Sequence, residues 1–178
     1  LTERFRDGAF TTLGAASGIV AGQVAINPAC AYLDPGGAIA IGLIAGVVCS
    51  QAVSLKRRFG FDDSLDVVGV HFVGGLIGSL LIGFLSNPGA TGWKPGRGPG
   101  LAEPGLLFGG GPGLLGEQVL ANVVTIVFSG LMTAAILYLI SVTIGLRVDE
   151  DTEAVGLDAT DHGETAYHQA GLALGSRT

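Results

Sequence analysis

The sequence predicts an all-α fold: a polytopic membrane helix bundle of about four transmembrane helices followed by a short polar tail. Three observations carry this. Charged residues make up 13% of the 178 residues, against about 25% in soluble domains. Four long segments are nearly free of charge. The charge that remains is segregated, because seven of the 15 acids (Asp149, Glu150, Asp151, Glu153, Asp158, Asp161 and Glu164) fall within residues 147–178. With nine Lys and Arg and a net charge of −6, the chain lacks the basic footprint of a nucleic-acid binder.

A spanning helix needs about 20 predominantly apolar residues to cross roughly 30 Å of hydrocarbon. The first candidate covers about residues 8–32, with Gln23 and Asn27 as polar interruptions. Asn27-Pro28 ends or bends it, since proline has no amide proton and crowds the preceding turn. Asp34-Pro35-Gly36-Gly37 then forms a turn into the second span, residues 36–55, which is uncharged. The third covers residues 64–86 and is apolar from Val67 onward except for His71. Asp62, Asp63 and Ser64 offer oxygens to the free amides at its start, and Asp66 suits the positive end of its dipole. Residues 87–116 hold eleven Gly and five Pro and read as an irregular extracytoplasmic loop; Glu103 and Glu117 are loop and helix-entry residues. The fourth span, 117–146, is uncharged from Val119 to Leu146, about 42 Å of helix at 1.5 Å per residue.

The basic residues orient the bundle. Four crossings put Arg4, Arg6, Lys56, Arg57, Arg58, Arg147 and Arg177 on one side, and only Lys94 and Arg97 on the other. The basic side is therefore cytoplasmic, with both ends of the chain inside. Small residues four apart (Gly14 and Gly18, Gly18 and Gly22, Gly42 and Gly46, Gly74 and Gly78) suit close helix packing, which lipid cannot drive hydrophobically. Cys30 and Cys49 read as small buried hydrophobes.

His71 is the candidate chemical group. A histidine in an apolar span is costly unless it finds a polar partner or water. Helical spacing puts Val67, His71, Gly74 and Gly78 on one face, so the imidazole is expected to point into the bundle. A neutral imidazole donates through one nitrogen and accepts through the other, which suits passing a proton or holding a small polar solute. The alternative is a structural histidine bonded to a neighbouring helix. Asp66 has its own alternative, a purely capping carboxylate. No cofactor, metal cluster, phosphate loop or nucleophile–base pair is visible, and the chain is not expected to be an enzyme.

The run Asp62-Asp63 followed by Asp66-Val67-Val68-Gly69-Val70-His71-Phe72-Val73-Gly74-Gly75 is similar to the signature of the ammonium transporter (Amt/Mep/Rh) family. Ala16-Ser17-Gly18 through Ile26-Asn27-Pro28-Ala29-Cys30 resembles a second family motif, in which Thr usually stands at the place of Asn27. Gly145-Leu146-Arg147-Val148, and Gly156-Leu157-Asp158 through His162-Gly163-Glu164-Thr165-Ala166-Tyr167, resemble its cytoplasmic tail. The resemblance implies an eleven-span fold of two inverted five-helix repeats plus a last long helix, assembled as trimers in the plasma or inner membrane for nitrogen uptake. The chain resembles spans eight to eleven and the tail.

The resemblance further implies that His71 is the second of two paired pore histidines, that Val67 lines the substrate pore, as does Val20, and that Asp66 is the family's aspartate on that helix. The substrate implied is ammonium or ammonia, with methylammonium as an analogue. Gly156, Asp158, Thr160, His162, Gly163 and Tyr167 are implied to form a regulatory tail that contacts neighbouring subunits, with a PII signalling protein as a partner at the cytoplasmic face. Thr160 resembles a threonine phosphorylated in plant members. Spans one to seven of the family pattern have no counterpart in these residues, so the chain alone is expected not to transport. Two other readings stand beside transport: an ammonium sensor or regulatory module of the same fold, and a non-functional fragment.

Overall fold

The computed structural model describes residues 2–89 and 103–164, and every regular element among them is helical. In chain order they are α1 (Thr2–Asp7), α2 (Thr12–Ile26), α3 (Pro35–Ala52), α4 (Leu55–Phe59), a π-helical segment (Val67–Phe72), α5 (Val73–Leu85), a 3-10 turn (Leu106–Phe108), α6 (Gly113–Thr143), α7 (Glu150–Val155) and α8 (Leu157–Thr160). Three apolar stretches are long enough to span a bilayer, Pro35–Phe59, Val67–Leu85 and Gly113–Thr143, while Thr12–Ile26 is shorter. The chain divides into two units, Leu1–Val127 and Phe128–Thr178.

In the first unit, α2, α3 and α5 pack on one another through their small residues. Ala21, Ala25 and Ala29 of α2 and the turn after it are buried, as are Ile41, Ala45 and Cys49 of α3. Each set repeats every four residues, the spacing of one helix face. α5 meets them through Gly74 and Gly78. A Cβ at Gly78 would lie 1.9 Å from the Ala25 carbonyl oxygen, so only glycine lets these backbones approach. Among the described residues, Cβ atoms at Gly18, Gly22, Gly42 and Gly46 would meet nothing within 4 Å, so these four do not make the expected close contacts there.

The helix ends follow local chemistry. Thr11 Oγ1 accepts the Gly14 amide at 2.9 Å to start α2, and Asn27-Pro28 stops it after 15 residues, short of the predicted 8–32 segment. Asp34 Oδ1 accepts the Gly37 amide at 2.7 Å, with Pro35 opening α3. The start of α3 and the end of α5 are tied together, since Asn87 Nδ2 donates to Asp34 Oδ2 at 2.9 Å and the Asn87 amide to the Tyr32 carbonyl at 2.8 Å. Ser86, fully buried, donates to the Glu103 carbonyl at 2.6 Å. α6 begins at Gly113, inside the stretch read as loop, because the 3-10 turn and Pro112 lead directly into it.

The second unit holds the end of α6 and the polar tail. Asp149 caps α7, its Oδ1 accepting the Thr152 amide and its Oδ2 the Thr152 hydroxyl, both at 2.9 Å. Gly156 separates α7 from α8 at φ +101°, a conformation that glycine adopts without strain.

Candidate functional site

The charged turn between α4 and the π segment positions the histidine. Gly60, in the left-handed conformation at φ 70°, ends α4. The chain then returns to the apolar helices through Asp63 and Asp66. Asp63 caps the π segment: its Oδ1 accepts the Val67 amide at 2.7 Å and its Oδ2 the Val68 amide at 2.9 Å. Ser64 instead donates to Asp62, at 3.2 Å, so one of the three expected cap residues binds these amides. Asp66 does not cap. It stands at φ 57°, the one non-glycine positive φ among the described residues, a conformation that Asp tolerates better than most residues. Its covered Oδ1 faces Lys56 Nζ at 2.6 Å and has no other polar partner. Lys56 Nζ also donates to the Asp63 carbonyl at 2.9 Å.

From Val67 to Phe72 the backbone is π-helical, a form with i→i+5 bonds that often marks functional positions. Each residue then turns through less angle than in an α-helix, so the registers before and after Val73 differ. Val70, Gly74, Gly78 and Ile82 form the buried row. This corrects the expectation that His71 shares a face with Gly74 and Gly78. His71 is exposed, flanked by exposed Val67 and Phe72. It has no hydrogen-bond partner among the described residues, so none of the neighbouring described helices holds it as a structural histidine.

Asp66, Val67 and His71 thus lie together on one segment, whereas Val20 sits on α2, 38% exposed. A cavity of about 450 Å³ lies between α2 and α3, lined by Gly14, Gly18, Gly46, Cys49, Asp66 and Val70 among others. His71, Val67 and Val20 are not in its wall. In the tail, Gly156 joins α7 to α8 at φ +101°, Thr160 donates its hydroxyl to the Gly156 carbonyl at 3.2 Å, and Asp158, His162 and Gly163 are exposed; Tyr167 lies outside the described residues. Sequence reasoning counted Lys56 only as an orienting charge and missed its pairing, because the left-handed Asp66 turn that creates it carries no glycine or proline as a sign.

Apolar helices of spanning length joined through polar turns define a multi-pass membrane protein. A sequence model of the Ammonium Transporter Family matches residues 1–167, and the chain belongs to that family, one of transporters rather than enzymes. It is 50% identical over 176 residues to an ammonium transporter of Mycobacterium bovis, covering 99% of this chain and 36% of that protein. To ammonium transporter Amt1 of Archaeoglobus fulgidus it is 40% identical over 156 residues, or 88% of this chain and 37% of that protein. The crystal structure of Saccharomyces cerevisiae Mep2 superposes with a TM-score of 0.75 at 31% identity, covering 96% of this chain and 38% of that one. The chain therefore spans little more than a third of the length of these relatives.

Proposed function

We propose that this chain supplies part of the conduction path of an ammonium transporter and that His71 faces the permeating species. One observation carries the reading: an imidazole on a π-helical edge of an apolar span, exposed and without a polar partner among the described residues. In a bilayer such a group is costly against lipid and belongs against protein or a polar path. The described helices leave this edge uncovered, and in the assembled transporter further helices close over it to form the path. Val67 beside it, and Val20 on α2, line the apolar wall.

Such a site fits ammonium or ammonia. A neutral imidazole offers one donor and one acceptor to a small nitrogen solute or its proton, while the valine walls strip water from the ion. The relatives' names as ammonium transporters support the substrate class. The assembly is a homotrimer in the plasma or inner membrane. The tail lies on the cytoplasmic side, where Gly156, Asp158, Thr160, His162, Gly163 and Tyr167 form a regulatory segment and a PII signalling protein is a candidate partner.

Methylammonium uptake by the intact transporter tests the reading. His71→Ala is expected to lower uptake by about tenfold or more, the scale of losing one positioned polar group, and His71→Glu to change the dependence of uptake on pH. Wild-type uptake by His71→Ala, at equal expression, would remove the imidazole from the path.

A further inference from the structure

We propose that Lys56 is a positioning residue for His71, acting through Asp63 and Asp66; the proposal rests on the pore reading given above. The lysine belongs to the end of one span and the histidine to the next, yet one ammonium group links them. Lys56 Nζ lies 2.6 Å from Asp66 Oδ1 and 2.9 Å from the Asp63 carbonyl oxygen. The first contact holds Asp66 in its left-handed turn at φ 57°. The second fixes the backbone of Asp63, whose carboxylate receives the first two amides of the π segment, Val67 and Val68, at 2.7 and 2.9 Å. Asp66 Oδ1 is shielded from solvent and has no other polar partner among the described residues, although the side chain as a whole is 22% exposed, so removing the ammonium leaves this covered oxygen unpaired. The turn must then rearrange.

The segment is also fixed further along, at Gly69. A Cβ at Gly69 would lie 2.7 Å from the Val53 backbone nitrogen, so the π segment rests directly on the chain three residues before Lys56. Held by Lys56 at its start and seated on Val53 at Gly69, the segment is fixed in azimuth, and His71 follows Val67 by four residues on it. Lys56 thereby sets the direction of the imidazole without touching it. Its neighbours Arg57 and Arg58 are exposed and do not share the task.

The test has two readouts. In the full chain in lipid nanodiscs, Lys56→Gln is expected to speed hydrogen exchange at the Val67 and Val68 amides about tenfold, as loss of a charge-assisted contact allows. Lys56→Arg, which keeps charge and donors, retains most of the protection. In the intact transporter, Lys56→Gln lowers methylammonium uptake, and Lys56→Gln/His71→Ala is no slower than His71→Ala alone, because the lysine acts through the histidine. Unchanged exchange at the two amides, or losses that multiply in the double variant, overturns the proposal. Should Lys56→Gln fail to insert, Asp66→Asn removes the same ion pair while keeping a residue suited to the left-handed turn. If His71→Ala leaves uptake intact, the pore reading falls and the exchange result alone decides whether Lys56 sets this segment.

Discussion

At the scale of single residues, Gly78 sets the closest approach between α5 and the turn-side end of α2. Its missing Cβ is what allows α5 to lie against the Ala25 carbonyl, 1.9 Å from where that atom would stand. The blocking atoms are backbone, so no rotamer change relieves the clash, and the helices must separate. Gly78→Ala is therefore expected to destabilise the packed helices by about 1–3 kcal/mol or more, the cost of overpacking a filled contact, read as a lower unfolding midpoint in mixed micelles. Gly18→Ala, where a Cβ meets open space, is the control and should leave that midpoint in place. Asp34 makes a second residue-scale prediction, outside the spans. The Gly37 amide first, and the Asn87 side chain second, hold its carboxyl below the usual carboxylate range. A folded-state value depressed in this way gives stability that is complete above the ordinary carboxylate pKa of about 3.9. That stability is lost as pH falls through the lower folded value. Melting of this corner followed by hydrogen exchange at the Gly37 and Asn87 amides should show this loss in acid, and Asp34→Asn should remove the dependence.

At the scale of elements, α5 and α6 are joined by a polar clasp. Ser79 Oγ donates to Gln118 Oε1 at 2.9 Å, and Asn122 Nδ2 donates to Ser79 Oγ at 2.9 Å and to the Gln118 carbonyl at 2.7 Å. Gln118 and Asn122 are one helical turn apart, so both reach the same hydroxyl. Hydrogen bonds between membrane helices are worth about 0.6–2 kcal/mol, and Asn122→Leu is expected to cost an amount in that range in the same micelle assay. A double-mutant cycle with Ser79→Ala should show coupling; strict additivity would mean that the clasp contributes nothing. The sequence did not announce this contact. Apolar run lengths and helix breakers made α3, α5 and α6 legible, and Asp63 was legible as a cap because its position before a helix carries a local rule, whereas Asp34 was legible only as part of the turn into α3. Ser79, Gln118 and Asn122 obey no such rule, since their meeting depends on two helices far apart in sequence. The π segment was invisible for a related reason. Val67–Phe72 has the same apolar composition in either helical form, so nothing in its residues distinguishes i→i+5 from i→i+4 bonds. That choice moved His71 off the glycine face on which regular spacing had placed it.

At the scale of the whole molecule, the open issue is how many times the chain crosses the bilayer, and α2 decides it. Its 15 residues span about 22 Å at 1.5 Å per residue, less than the roughly 30 Å of hydrocarbon. The turn that follows supplies the remainder. Ala29 is fully buried and Leu33 is 8% exposed, and the Ala29 and Tyr32 amides bond to Ile26 and Ala29 carbonyls at 3.0 and 2.9 Å. Irregular backbone is tolerated at membrane depth where protein buries it and its amides are satisfied, and Ala29 and Leu33 meet the first condition, Ala29 and Tyr32 the second. α2 together with this turn is therefore expected to cross, putting Ala9, Ser64 and Glu153 on the cytoplasmic side and Leu107 outside. Single cysteines at these four positions, in a Cys30→Ala/Cys49→Ala background, report the arrangement through a membrane-impermeant maleimide. In intact cells only the cysteine at Leu107 should react, and the other three should react after permeabilisation. Labelling at Ala9 from outside, with Ser64 still protected, would show that α2 only dips into the bilayer. The small-residue packing of α2 on α3 and α5 would then belong to a re-entrant hairpin, and Val20 could no longer line a continuous path beside His71.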